Sequence, residues 1–375
     1  APEGLQEVRL GFIGPLAGDD LPPPPTGTRP AVRYDPKAVF GRWMLRGATL
    51  AIEEANASGG YGGIPFRLVP RTDLVLWGQS SNELVRFALE DRVWAVLSSI
   101  DSNHNHVLSR VTLKLEVPIV SAGSTDPTLV EHAIPWLVRS IHDDRQNSYA
   151  LLNEIFVVRG LRRAALLRVN DRDGRVGVME FVEGARRLGH PIVIEQRFYN
   201  GDTDFRPLLE RIRETSPDAL VLWGNPRETG LAVRQAREMG MRTDIFGFDR
   251  LNQASFLEAA GEAAEGVVVA ASMNPDSEEE AWLRFKKSYR ERWGEDPEMF
   301  AAHAYDGMVL LIEAVRKGGL NRARIRDALF DLKTHRGATG TMVFDTNMSD
   351  VGTVWLGTVK GGRFHYRAAP KWAER

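Results

Sequence analysis

An α/β fold with parallel sheets in two lobes is predicted by three observations. Short apolar, β-rich stretches alternate with amphipathic stretches of helix length, the pattern of parallel βαβ units. The alternation occurs twice, with a second series beginning near Arg162, and 375 residues exceed the size at which one hydrophobic core usually stops growing. Two loops, Ala95-Val-Leu-Ser-Ser-Ile-Asp-Ser102 and Pro118-Ile-Val-Ser-Ala-Gly-Ser-Thr-Asp-Pro127, each lead from a strand through small hydroxylated residues into a helix-like segment. Hydroxyls and backbone N–H groups are thereby gathered at the carboxyl edge of a sheet, where open α/β sheets hold small ligands.

In order, the first series reads strand Val8 to Ile13, helix Leu45 to Ala55, the turn Gly59-Gly-Tyr-Gly-Gly63 and strand Phe66 to Val69. Helix Leu84 to Leu89, strand Trp94 to Leu97, helix Val107 to Leu115 and strand Ile119 to Ser121 follow. The second series reads strand Ala164 to Val169, helix Val178 to Leu188, strand Ile192 to Phe198 and helix Phe205 to Glu214. It continues with strand Ala219 to Trp223, helix Gly230 to Met239, strand Ile245 to Gly247 and strand Gly266 to Ala271. Two Rossmann-like series imply two lobes with a cleft between them. Beyond them, Glu278 to Trp293, Phe300 to Lys317 and Arg322 to Leu332 read as helices, and Thr341 to Phe344 and Thr353 to Val359 as strands. Helices that add no parallel strands complete a lobe already built, so the chain is expected to cross between lobes more than once. Pro22-Pro-Pro-Pro25, within residues 19 to 36, breaks both periodicities and reads as an extended insertion.

Composition narrows the function. Hydrophobic residues are 43% and charged residues 26%, with a mean hydropathy of -0.27, as in a soluble globular protein. A net charge of -2 argues against a nucleic-acid footprint. With 0 cysteines there are no disulfides, thiolate metal sites or cysteine nucleophile. No stretch approaches the roughly 18 consecutive apolar residues of a membrane span. The opening Ala1-Pro-Glu-Gly4 suits a secreted chain trimmed of its leader, and equally an edited one. His104-Asn-His106 lacks a third ligand at metal-site spacing, so no metal or other cofactor is expected. Neither a nucleophile elbow nor a phosphate loop is present, and no enzyme activity is expected.

Ser102, Thr125 and Asp249 all fall just past the carboxyl ends of expected strands. Each has an alternative reading as a cap or turn residue, because such side chains also satisfy orphan N–H groups. Together, hydroxyls and helix N-termini suit a carboxylate and an opposed aspartate suits an ammonium, which makes a clamp for a zwitterion.

Over nearly its whole length the chain resembles the type I periplasmic binding proteins of the leucine/isoleucine/valine-binding family. The resemblance rests on Leu10-Gly-Phe-Ile-Gly-Pro-Leu-Ala-Gly18, Gly47-Ala-Thr-Leu-Ala-Ile-Glu-Glu-Ala-Asn56, Pro118 to Pro127, Arg234-Gln-Ala-Arg-Glu-Met-Gly240, Ala304-Tyr-Asp-Gly307 and Gly340 to Asp345. It implies a solute receptor of an ABC importer, outside the cytoplasm, that binds an amino acid or related carboxylate, works as a monomer and presents its ligand to a permease. A ligand-sensing receptor domain of the same fold is the alternative. By the resemblance Ser102 binds the ligand carboxylate, Thr125, beside Ser124, touches carboxylate and ammonium, the Gly123 carbonyl accepts from the ammonium, and Asp249 pairs with it. Phe40 falls where an aromatic residue closes the pocket.

The resemblance also places lobe crossings near Ser140, Ala270 and Ala338, giving a first lobe of 1–140 with 271–338 and a second of 141–270 with 339–375. Asp173 and Asn225 stand where aromatic residues often line the second lobe, Ser98-Ser99 replaces a glycine-proline, and Leu76-Trp77 replaces a polar-proline pair at the rim. The head-group clamp is therefore expected to be kept and the side-chain pocket remodelled towards polar ligands. The competing expectation turns Asp173 outward as a helix cap and leaves Phe40, Trp43 and Trp77 as an apolar pocket.

Overall fold

The computed structural model describes residues 4–17, 37–73 and 78–370. The chain divides into two units, Ala1–Ile141 with Ser277–Gly352, and His142–Asp276 with Thr353–Arg375. Trp77 and the proline-rich segment 19 to 36 lie outside the described residues.

The first pass through unit one gives β1 (Val8–Gly14), α1 (Ala38–Ala57), β2 (Phe66–Thr72), α2 (Gln79–Leu89), β3 (Val96–Ser98), α3 (Ser102–Leu115), β4 (Ile119–Ser121) and β5 (Leu137–Arg139). Its sheet has the order β2-β1-β3-β4-β5 and is parallel throughout. β1, β3 and β4 are buried on both faces, which explains their unbroken apolar character. The glycine-rich turn is a helix-to-strand connection, as expected: Gly59, Gly60, Gly62 and Gly63 all have positive φ, the conformation glycine adopts without strain.

The second unit begins with α4 (Asp144–Leu152), continued as a π-helical turn over Asn153–Val158. Then come β6 (Ala164–Val169), α5 (Arg172–Gly177), α6 (Met179–Arg187), β7 (Ile194–Phe198), α7 (Arg206–Glu214), β8 (Ala219–Trp223), α8 (Pro226–Glu238), β9 (Asp244–Gly247), α9 (Ala254–Ala260) and β10 (Val268–Ala271). The stretch expected as one helix from Val178 to Leu188 is preceded by α5, because Asp171 caps a separate short helix by accepting from Gly174 N at 2.7 Å.

Back in unit one lie α10 (Glu280–Trp293), α11 (Met299–Gly318), α12 (Arg322–Phe330) and the hairpin β11 (Thr334–Gly337) and β12 (Gly340–Val343). The chain ends in unit two with β13 (Trp355–Lys360) and β14 (Arg363–Ala368). They extend the second sheet to β14-β13-β10-β9-β8-β6-β7, where five parallel strands carry two antiparallel strands at one edge.

Two of the expected crossings move. β10 pairs with β9 and β13 as far as Ala271, so the second crossing falls after Asp276 and not near Ala270. The third falls after Gly352 and not near Ala338, because residues 338–350 are fastened to unit one. Asp306 on α11 accepts from the N–H groups of Ala338 and Thr339, both at 2.8 Å, and from Thr339 Oγ1 at 2.7 Å. Arg139 exchanges backbone bonds with Met348 and Asp350, and its buried guanidinium donates to Ser349 Oγ and to the Asp126 carbonyl. The first crossing, expected near Ser140, falls after Ile141.

Close helix approach explains two glycines of the sequence pattern. A Cβ at Gly47 would collide with the Ala301 carbonyl, where α1 crosses α11, and one at Gly307 would meet Leu97 Cδ1 at 2.7 Å, where α11 lies on the sheet. Replacing Asp306 by alanine should lower stability by about 3 kcal/mol, since two backbone N–H groups and a hydroxyl lose a buried acceptor at once. Thermal and urea unfolding of the ligand-free chain measures this; a change under about 0.5 kcal/mol would show that the 338–339 segment is held by other contacts.

Candidate functional site

In unit one the β3–α3 and β4 loops emerge from neighbouring strands. Asn105 organises the first: its amide donates to the carbonyls of Ser99 (2.9 Å) and Asp101 (2.8 Å) and its oxygen accepts from Ser98 Oγ (2.5 Å). The cap of α3 is Asp101, which accepts from His104 N at 3.1 Å, so the capping role considered for Ser102 belongs to its neighbour. Ser102 is instead the first helical residue, buried, and its hydroxyl accepts from Ser124 Oγ at 3.0 Å. The second loop repeats the arrangement. Asp126, not Thr125, accepts from Thr128 N at 2.8 Å and caps a single 3-10 turn. Gly123 permits close passage, since its Cβ would lie 3.0 Å from the backbone of Ile100. Ser102, Gly123, Ser124 and Thr125 are thus brought to one sheet edge, all buried.

Lys37 binds the Asp101 carboxylate at 2.7 Å. Burial alone would raise that carboxyl's pKa, but Lys37 and His104 hold it well below the usual carboxylate range. Each of the two histidines faces a carboxylate. His104 Nδ1 lies 3.1 Å from Asp73, and His106 Nε2 lies 2.9 Å from Asp126. Among the described residues no group of three or more His, Cys, Asp or Glu could hold a metal ion. Phe40, on α1, is 1% exposed and packs edge-on against Trp43 and Phe300 at 5.7 and 5.3 Å, so it is part of the unit-one packing.

In unit two, Asp249 follows β9 by two residues and opens a 3-10 turn over Asp249–Leu251 without capping it. It is 1% exposed, and neither carboxylate oxygen has a hydrogen-bond partner. Burial pushes its carboxyl up to about 6, against the opposing influence of Arg250, the backbone N–H groups of Arg250 and Asp249, and Asn147. These groups are near enough to favour the charge, yet none completes a bond of ordinary geometry.

Asp173 is inside α5 and buried, which removes its reading as an outward cap; Asp171 holds that place. The Asp173 carboxylate lies 3.5 Å from the guanidinium of Arg250, which stacks over the Trp223 ring at 4.6 Å. The Trp223 Nε1–H points to Asp144 at 3.5 Å. Asn225, buried at the start of α8, donates to Asn200 Oδ1 at 2.9 Å. Sequence reasoning missed Arg250, Asn147 and Gln253. For Asn147 a signal existed: Asp143 and Gln146 have the spacing of a capping box, and the box forms, with Gln146 N donating to Asp143 and Asp143 N to Gln146, both at 3.0 Å. For Arg250 and Gln253 local pattern gives no sign that a long polar side chain turns inward.

Residues 36–363 match the periplasmic binding protein family model, and the chain belongs to this family. It is 25% identical over 323 residues to an amino acid binding protein of Pseudomonas aeruginosa, covering 84% of this chain and 80% of that one. It is 24% identical over 302 residues to the Leu/Ile/Val-binding protein homolog 2 of Brucella abortus, 76% of each chain. Among solved structures, the branched-chain amino acid transporter substrate binding protein LivJ of Streptococcus pneumoniae, in complex with isoleucine, superimposes with a TM-score of 0.83 at 25% identity, covering 96% of this chain and 99% of that one.

The raised carboxyl of Asp249 gives a pH signature. Its ordinary value is 3.8 and its folded value about 6, so between those limits the folded chain keeps a proton that the unfolded chain has given up. The associated stability is fully present below about pH 4 and is lost as pH rises through 6. In the ligand-free chain, Asp249→Asn should therefore leave the melting temperature nearly unchanged at pH 4 and raise it at pH 7. A difference that is flat across this range would mean that Asp249 does not titrate there.

Proposed function

We propose that the protein is an extracytoplasmic solute-binding protein of an ABC importer, and that its ligand is an amino acid or a molecule with an amino-acid head group. The observation that carries this reading is that each unit has a buried sheet edge whose chemistry suits one end of a zwitterion. Unit one offers the buried hydroxyl of Ser102 in the first turn of a 14-residue helix, with Ser124 bonded to it and Thr125 next in the neighbouring loop, which suits a carboxylate. Unit two offers the Asp249 carboxylate, buried and without a hydrogen-bond partner, which suits an ammonium. Arg250, Asn147 and two backbone N–H groups offset only part of the cost of burying this carboxylate, and the ligand's ammonium supplies a closer charged partner.

In this scheme Ser102 and Thr125 take the α-carboxylate, and Asp249 and the Gly123 carbonyl take the ammonium. Binding involves no covalent step. Uptake follows when the loaded chain delivers its ligand to a permease. The relatives named for amino acids support the ligand class, and the family supports a place outside the cytoplasm.

The test is to purify the chain without refolding, denature it and identify the released small molecule by mass spectrometry. An amino acid or close relative is expected; a compound with no carboxylate and no amine would overturn the reading. With that ligand in hand, Asp249→Ala should weaken binding by about 2 to 5 kcal/mol, the range for truncating one side of a buried charge pair. Ser102→Ala should cost about 1 to 3 kcal/mol, as expected for one hydrogen bond to a charged group. Calorimetry that finds either affinity unchanged removes that residue from the head-group site.

A further inference from the structure

We propose that the unit-two edge selects amino acids whose side chain ends in an uncharged group that both donates and accepts hydrogen bonds, a primary amide being the best fit. This rests on the head-group reading above and adds what the remainder of the ligand must be.

The inference comes from polar atoms that the fold buries without satisfying. Beside Asp249 stand Asn147, fully buried with neither amide atom bonded, and Arg250, 2% exposed with its Nε–H unused. Gln253, four residues on from Asp249 and also 2% exposed, has both amide atoms unused. Buried polar atoms are nearly always paired, and leaving them unpaired is costly. These four side chains lie on α4 and on the segment that follows β9, at the carboxyl edge of one sheet. Asp249 is assigned to the ammonium. The remaining unused atoms are donors and acceptors in comparable number: two amide nitrogens and one guanidinium N–H against two amide oxygens.

Charge decides between the polar candidates. The Arg250 guanidinium is surrounded by Asp173, Asp171, Asp144 and Asp249, with Asp173 at 3.5 Å. A ligand side chain ending in a carboxylate would enter among four carboxylates. One ending in a cation would be drawn to those carboxylates but can only donate, and so would leave the unused amide nitrogens and the Arg250 Nε–H without an acceptor. An aliphatic side chain would bury the unused amide atoms against hydrocarbon, and a site built to hydrogen-bond rejects an analogue lacking the partner by much more than a hydrophobic pocket rejects a wrong shape. A neutral amide meets donors and acceptors together and adds no charge.

The test measures binding of glutamine, asparagine, leucine, glutamate and arginine to the full chain, freed of any retained ligand, by calorimetry. Glutamine or asparagine should bind at least about tenfold tighter than the other three. If leucine, glutamate or arginine binds as tightly or tighter, the amide preference is wrong while the head-group reading stands, because an amino acid is still bound. If none of the five binds, the amide preference falls, and the head-group reading is decided separately by the small molecule released on denaturation. Two variants locate the source of the preference. Arg250→Met should reduce the amide-to-leucine affinity ratio at least about tenfold, but it deprives Asp173 of its cation and can fail to fold. Gln253→Leu replaces an amide with no protein partner by a shorter hydrocarbon side chain, so it should keep or raise the melting temperature and shift the same ratio towards leucine. A ratio unchanged in folded Gln253→Leu overturns the assignment of that amide to the ligand.

Discussion

The constraint on which the candidate edges depend is that a buried helix start must have its N–H groups satisfied by something, and at four of these starts an aspartate close to the candidate residue does it. Asp101 caps α3 beside Ser102, Asp126 caps its turn beside Thr125, Asp143 caps α4 beside Asp144, and Asp171 caps α5 two residues before Asp173. Each cap takes up the local backbone demand and so keeps the adjacent side chain out of that duty. Ser102 is thereby left to meet Ser124, and Asp173 to meet Arg250. The same aspartates do further work: Asp101 anchors Lys37 and Asp126 holds His106, so the cap geometry is braced from outside the helix it serves.

A second constraint acts at the middle of the chain. α11 is buried along nearly its whole length, pressed against α1 through Gly47 and against the sheet through Gly307. Between those contacts Asp306 turns the other way and binds residues 338–339. One helix therefore fastens the first pass of the chain to its return, and the returning segment remains with unit one until Gly352. Residues that look like a family signature in sequence, Tyr305-Asp-Gly307, act in this structure as packing and fastening elements.

The strand and helix alternation was legible because its central strands are buried on both faces and are therefore continuously apolar, and because the helices between them keep a periodic face. β5 was not legible: three residues, Leu137–Arg139, are too few to show a period, and the strand is fixed by β4 and by the 348–350 segment. β14 does alternate, with Phe364 and Tyr366 towards the core between Arg363, His365 and Arg367, but it is short and largely exposed at a sheet edge, and sequence reasoning did not single it out. At the candidate edges, chain position could be read from the strand ends, which placed Ser102, Thr125 and Asp249 correctly past β3, β4 and β9. Which oxygen caps and which faces elsewhere could not be read, since Asp101 and Ser102 are adjacent and both chemically suited. Arg250 is the clearest case: an arginine next to an expected ligand carboxylate reads as surface, and only the stacking on Trp223 and the approach to Asp173 reveal it as an inward group.

The burial of Asp249 has a consequence for the binding step of the proposed function. A carboxyl held near 6 is partly protonated in mildly acidic surroundings, and an arriving ammonium favours its ionised form. If the proposed ammonium site is Asp249, loading would expel a proton into the medium, and the heat of loading would depend on the ionisation enthalpy of the buffer. On the proposed head-group reading, occupancy would be linked to the proton concentration of the medium without any dedicated sensor, through the same carboxyl that holds the ammonium.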